Sequence, residues 1–251
     1  MTTRAKARAA QNRERRRQRD AASRALEALL VLSPFLALSA MFFACGPPPA
    51  SSFETTDASV LVIDAGTPDA GDPFVDAVVA FTPGVGAGFG QGAFPDIVFG
   101  PPHGQGDMSG SLDVLSLGRG GSITLEFTDF EIVDDTGVDF IVFENGFTGF
   151  LELGFVEVSA DGTTWNAFPC AATLDGGTEG CAGANIVYSN PQNGIPPTSP
   201  DAGGDGFDLS QLGVASARFV RITDTGTNRF YAPPGGGFDL DAVATVNARR
   251  R

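Results

Sequence analysis

Apolar and polar positions alternate with a period of two in several short runs. Phe155-Val156-Glu157-Val158-Ser159 sets Val156 and Val158 on one face, and Ile123-Thr124-Leu125-Glu126-Phe127 sets Ile123, Leu125 and Phe127 on one face. That alternation predicts half-buried strands. Phe140-Ile141-Val142-Phe143-Glu144 is apolar on both faces, which predicts a central strand covered on both sides. Shorter runs at 75–81, 97–99, 114–117, 220–222 and 242–246 also read as strands, with turn signals between them. Nothing after residue 46 keeps a 3.6-residue period. Asp161-Gly162 predicts a two-residue hairpin turn, Gly162 supplying the positive φ. Trp165, the only tryptophan, is expected to fold over the sheet just past that turn as a buried anchor.

The N-terminal third breaks this pattern. A continuous apolar run from Leu29 to Ala44 follows a basic stretch holding Arg4, Lys6, Arg8, Arg13, Arg15, Arg16, Arg17, Arg19 and Arg24. A basic flank, an apolar run and a small residue before a break describe a secretory signal. Ala44-Cys45 resembles a bacterial lipobox, in which the Cys45 thiol is acylated and becomes the mature N-terminus. Phe42 and Phe43 depart from the usual lipobox residues. An uncleaved membrane anchor is the competing reading, with a run near the lower limit for spanning and Pro34 inside it. Residues 1–45 are thus a lipoprotein signal or anchor helix. Residues 46–73 are rich in Pro, Asp, Ala and Gly, and too poor in apolar residues to order themselves. This disordered linker resembles the tethers behind the lipobox in myxobacterial lipoproteins. Residues 74–248 form one all-β domain.

Composition sharpens this picture. The 33 Gly and 17 Pro fit a turn-rich fold, and 21 Phe against 2 Tyr fit a core where two sheets meet. The net charge of −14 hides a split. Residues 1–45 carry nine Lys and Arg against three acids; the remainder carries seven against 27, with no lysine after Lys6. Such a domain repels nucleic acid and anionic lipid, and suits cation binding or plain solubility.

Few motifs carry chemistry. The Gly-rich stretch 84–92 lacks the lysine and the βαβ context of a phosphate loop. With Cys45 assigned to lipid, Cys170 and Cys181 remain, and an oxidising compartment favours a disulfide between them. A single histidine, His103, argues against zinc and reads as an exposed loop residue. The acids are more telling. Gly206-Phe207-Asp208-Leu209 recurs as Gly237-Phe238-Asp239-Leu240, and Asp139, Glu144 and Asn145 bracket the apolar 140–144 run. Ca²⁺ takes six to eight hard oxygens of these kinds. The alternative is that these aspartates accept turn amides.

The alternating strand followed by Ser159-x-Asp161-Gly162-x-x-Trp165 resembles the middle of galactose-binding-like sandwiches, the discoidin domains and several carbohydrate-binding modules. The Ala217-Arg218-Phe219-Val220-Arg221-Ile222 segment resembles the strand that pairs nearby in them. The ending Gly237-Phe238-Asp239-Leu240-Asp241-Ala242-Val243 resembles the last strand of calcium-bearing members, which implies that Asp241, and next Asp239, help hold a structural ion. The resemblance implies a jelly-roll-like β-sandwich on the cell surface, lipid-anchored in the envelope. The expected function is binding of a glycan or another surface polymer. Candidate contacts are the loop residues Phe147, Phe150, Arg229, Phe230 and Tyr231, with packing within the loops as the alternative role. A purely structural envelope protein and a carboxylate-based glycosidase are the competing readings; no typed catalytic motif is present.

Overall fold

In the computed structural model, which describes residues 71–173, 177–228 and 236–251, nearly all regular structure is antiparallel strand. The signal or anchor segment with Cys45, the linker up to residue 70, and Arg229, Phe230 and Tyr231 lie outside the described residues. Among the described residues no helix is long and apolar enough to cross a membrane.

The strands are β1 (Ala77–Thr82), β2 (Leu115–Ser116), β3 (Ser122–Glu126), β4 (Phe130–Val133), β5 (Phe140–Glu144) and β6 (Gly154–Ser159). They continue with β7 (Asn166–Ala167), β8 (Asp205–Phe207), β9 (Ser216–Ala217), β10 (Phe219–Asp224), β11 (Asp239–Thr245) and β12 (Ala248–Arg250). One sheet runs β1-β3-β10-β6-β7, a second β2-β11-β5-β8, and a small third β12-β4-β9. Period-two alternation places Ile123, Leu125, Val156, Val158, Val220 and Ile222 on the inner face of the first sheet. They meet Phe140, Val142, Leu240 and Val243 of the second in one core, as sandwich packing requires.

The second sheet is covered twice. Its other face carries Ile141, Phe143, Ala242 and Ala244 against Phe74, Val187 and Ala202. Burial on both sides explains why every residue of β5 is buried, as its continuous apolar run predicts. The two Gly-Phe-Asp-Leu copies flank that strand. The first begins inside β8 and leads out of it, the second leads into β11, and both strands pair with β5. Phe207 stacks on Phe140 at 5.2 Å, with Phe168 edge-on to both rings.

Three local expectations are corrected. Residues 97–99 are not a strand: Asp96–Val98 is a single 3-10 turn, with the Phe99 amide donating to the Asp96 carbonyl. A three-residue apolar run is too short for periodicity to separate the two. Asp161-Gly162 does not make a two-residue turn. Gly162 does take a positive φ of 74°, but the Asp161 carboxylate accepts the Thr163 and Thr164 amides at 2.8 and 2.7 Å and winds 160–165 into a longer loop. Those two bonds, Thr164 first, hold the Asp161 pKa below the usual carboxylate range. Trp165 is consequently half-buried on the solvent face rather than in the core. Its ring lies 4.1 Å from the Arg221 guanidinium, whose Nε and Nη2 donate to Glu157, each at 2.7 Å.

Cys170 and Cys181 form the expected disulfide, with Cα atoms 4.6 Å apart.

Candidate metal centre

The core-facing positions of β5 are Phe140, Val142 and then Glu144, so the apolar series ends in a carboxylate inside the sandwich. Leu240 of β11 pairs with Glu144, and Ser116 of β2 with Asp239. The ladder slips between Leu240 and Ala242, leaving Asp241 as the extra residue of a bulge. Strand pairing therefore brings Glu144, Asn145 and the start of β11 to one end of the second sheet. The loop between β5 and β6 returns to the same place through Glu152, whose carboxylate accepts the Gly237 amide at 3.1 Å.

The five residues predicted as metal ligands divide between two places. Glu144, Asn145 and Asp241 line one narrow crevice beneath the 104–110 segment. Asp239 adjoins them: its carbonyl accepts the Asn145 amide, and its charge raises the Glu144 pKa. Asp139 lies at the opposite end of β5. It groups instead with Asp134 and Asp208, whose ligand oxygens lie within 4.8 Å of one another, close enough to hold a metal ion. Asp139 is already well occupied there. Its carboxylate accepts from the Asp135 and Leu209 amides and from Asn247 Nδ2, while Asp208 caps the turn at Ser210.

The acids around Glu144 differ in how far they are satisfied. Asp205 accepts the Gly183 and Ala184 amides and Asn185 Nδ2. Asp224 accepts the Gly120, Gly226 and Phe238 amides and Asn228 Nδ2. Both carboxylate oxygens of Asp241 share the His103 amide, at 3.0 and 2.9 Å, and His103 Nδ1 lies 2.8 Å from Asp113. By contrast Glu144 Oε2, Asn145 Oδ1, Glu152 Oε2 and Asp239 Oδ1 are buried with no partner. Each buried unsatisfied acceptor costs about 1–3 kcal/mol, more if charged. Burial and mutual repulsion set the acidities. Burial, then Asp239, Glu152 and Asp205, push Glu144 well above the carboxylate range. Burial and then Asp239 take Glu152 to about 9. Burial first of all raises Asp241 to about 8, and Asp239 and Asp205 each to about 6. Hard oxygens of this kind, held in a dry pocket, suit a hard divalent cation.

The loop between Asn145 and Glu152 carries the predicted aromatic pair. Phe147 and Phe150 exchange backbone hydrogen bonds and stack with centroids 5.1 Å apart, 7° from parallel. The Thr148 amide donates to the Asp107 carbonyl. Asp107 also accepts the Tyr188 hydroxyl, so exposed Tyr188 and Met108 belong to this neighbourhood. Sequence reasoning missed Tyr188, Met108, Glu152, Asp205 and Asp224. Glu152 and Tyr188 lie in irregular segments where no period marks a facing direction. Asp205 was visible only as the acid beside a predicted repeat, and Asp224 lies two residues past the 220–222 run, at the end of the longer observed β10. A separate cleft of about 310 Å³ beside the disulfide, floored by Phe168 and Phe207, contains none of the predicted ligand residues.

No family model matches the chain, and comparison with curated proteins finds no match either.

Proposed function

We propose that this chain is an exported, membrane-anchored surface protein whose galactose-binding-like, jelly-roll sandwich binds a glycan or other surface polymer, with a structural Ca²⁺. The anchor is the acylated Cys45 or the apolar run before it. The observation that carries the reading is the stacked Phe147–Phe150 pair on a loop tied down at its base. A half-buried aromatic ring in a loop can pack its face on the C–H face of a sugar, and exposed Tyr188 and Met108 lie on segments linked to the same loop through Asp107. Binding is a better fit than glycosidase chemistry. Catalytic carboxyls must reach a substrate, and Glu144 and Glu152 are only 1% and 2% exposed. A polysaccharide pull-down and glycan array with the wild-type chain and Phe147→Ala test this. Retention of at least one polymer by the wild type, lost in the variant, is expected; equal behaviour of the two removes the aromatic loop from the reading.

A further inference from the structure

The cleft of about 310 Å³ beside the disulfide is lined by β8, by part of the 178–185 segment, by Phe168 and by Gln211. Its walls are fixed from several sides. Cys181 is tied to Cys170, Ala182 exchanges both backbone hydrogen bonds with Gly154 of β6 at 3.0 Å, and the Glu179 carbonyl accepts the Ala171 amide at 2.8 Å. Buried Asp205 of β8 accepts the Gly183 and Ala184 amides and Asn185 Nδ2, at 2.7, 3.1 and 2.8 Å. A cleft held in this way binds without first ordering its own walls. Small-molecule sites run from about 300 to 1,000 Å³, so this one suits a small ligand. Phe168 and Phe207 are each 4% exposed, so the floor offers only a narrow apolar contact and recognition falls to polar groups. Those groups lean to one sign. With its Nδ2 taken up by Asp205, Asn185 has Oδ1, an acceptor, left to offer. Glu179 adds an exposed carboxylate that pairs with no Lys or Arg among the described residues. No Lys or Arg lines the cleft. Such a surface repels anions and draws cations in.

We propose that this cleft binds a small organic cation, the ammonium group of an alkylamine, with Glu179 as its counter-charge and Asn185 and Gln211 as hydrogen-bonding partners. An ammonium carries three N–H donors and no acceptor, which matches a lining of carboxylate and amide oxygens. Its carbon chain takes the narrow contact with Phe168 and Phe207. A bare metal ion fits less well, because Asp205, the buried carboxylate of the cleft, already accepts from three donors. A free polyamine and a lysine side chain present the same head group, and separate probes distinguish them. The site goes beyond the polymer-binding reading and does not depend on it, since Phe147, Phe150, Tyr188 and Met108 are all absent from its lining.

The test titrates the full-length chain in neutral detergent with cadaverine and with Nα-acetyl-lysine amide. The diol of the same chain length as cadaverine, and sodium chloride at equal ionic strength, are the controls. Calorimetry should show one saturable site for an amine and none for the diol. Amide exchange should slow at least threefold in residues 178–186 and 204–212 and stay unchanged in 145–153, a measurement that needs no variant. Tighter binding of cadaverine or of the lysine probe supports the site and identifies the source of the head group. Glu179→Gln keeps shape and removes the charge, and should raise Kd about threefold to fivefold, as loss of one partly exposed charge pair does. Asp96→Asn, at an exposed acid outside the cleft, and Phe147→Ala should leave Kd within twofold. Amines that give neither saturable heat nor slowed exchange overturn the proposal, as does equal binding of the diol. Equal weakening by Asp96→Asn and Glu179→Gln also overturns it, because the amine is then only a diffuse counterion. Amine bound in the cleft with no polymer retained supports the cleft and refutes the polymer-binding reading. Polymer retained with no amine bound refutes the cleft alone.

Discussion

Replacing Trp165 and Phe207 separately by Ala tests which aromatic anchors the sandwich. Phe207 is 4% exposed, stacks on Phe140 at 5.2 Å and meets Phe168 edge-on at 4.9 Å. Emptying such a site costs about 3–5 kcal/mol in lost transfer energy and cavity. Trp165 is half-buried on the solvent face, and its main contact is the Arg221 guanidinium at 4.1 Å. A partly exposed cation–π contact is worth about 0.5–1 kcal/mol. Loss of partial ring burial adds about 1 kcal/mol. The Arg221–Glu157 pair survives the change, since its hydrogen bonds do not involve the ring. Trp165→Ala should therefore cost about 1–2 kcal/mol, well short of Phe207→Ala. At about 2–4 °C per kcal/mol, Tm should fall by roughly 10 °C for Phe207→Ala and roughly 4 °C for Trp165→Ala. Urea unfolding followed by far-UV circular dichroism measures both, because fluorescence is lost with the tryptophan. A Trp165→Ala cost equal to or above that of Phe207→Ala would refute the outward placement of Trp165 and the core built on Phe140, Phe168 and Phe207.

Three further outcomes are expected. Reduction of Cys170–Cys181, which closes a span of 11 residues, should lower stability by about 3 kcal/mol, and thiol titration of the unreduced, exported β-domain should find no free thiol. In chelator, stability should fall as pH rises from about 5 to 9. Asp205, Asp239, Asp241 and Glu152 have folded pKa values raised to about 6, 6, 8 and 9, so over that window the folded state binds more protons than the unfolded one, and a melt series showing stability rising with pH would contradict this. A palmitate analogue should label the wild-type chain and not Cys45→Ser; label retained by the variant would remove the lipid anchor.

The sandwich was legible because its signal is local. Ile123 and Leu125, Val156 and Val158, and Val220 and Ile222 alternate along their strands, and every one of them is buried. The 140–144 run, apolar on both faces, is the strand covered on both faces. The third sheet was not legible: β12 is Ala248–Arg250, exposed throughout, and β9 is two residues long. Its strands are specified by pairing partners rather than by their own pattern. Trp165 was misplaced for a related reason. Its facing direction depends on the length of the turn before it, and the Asp161 carboxylate sets that length by capturing two amides.

The candidate site was half legible, and the missing half is instructive. Asp239, Glu144 and Asn145 could be chosen because they are oxygen donors next to strong strand patterns, and strand pairing then places them together. Asp139 satisfied the same rule but sits at the other end of the same strand, because five residues of extended chain carry it roughly 17 Å away. Glu152 followed no pattern at all, since a loop closing on itself leaves no period. What marks it is the final structure: a carboxylate 2% exposed with one oxygen bonded to the Gly237 amide and the other to nothing. Glu144 breaks the strongest local rule in the chain, since an apolar residue at that core-facing position would remove a buried charge. A sequence that places a carboxylate there and adds two more beside it, with no Lys or Arg paired to them among the described residues, has accepted a loss of stability at one point. Departures from local consistency concentrate where a site is built, and this one stands at the start of the loop that carries the stacked Phe147–Phe150 pair.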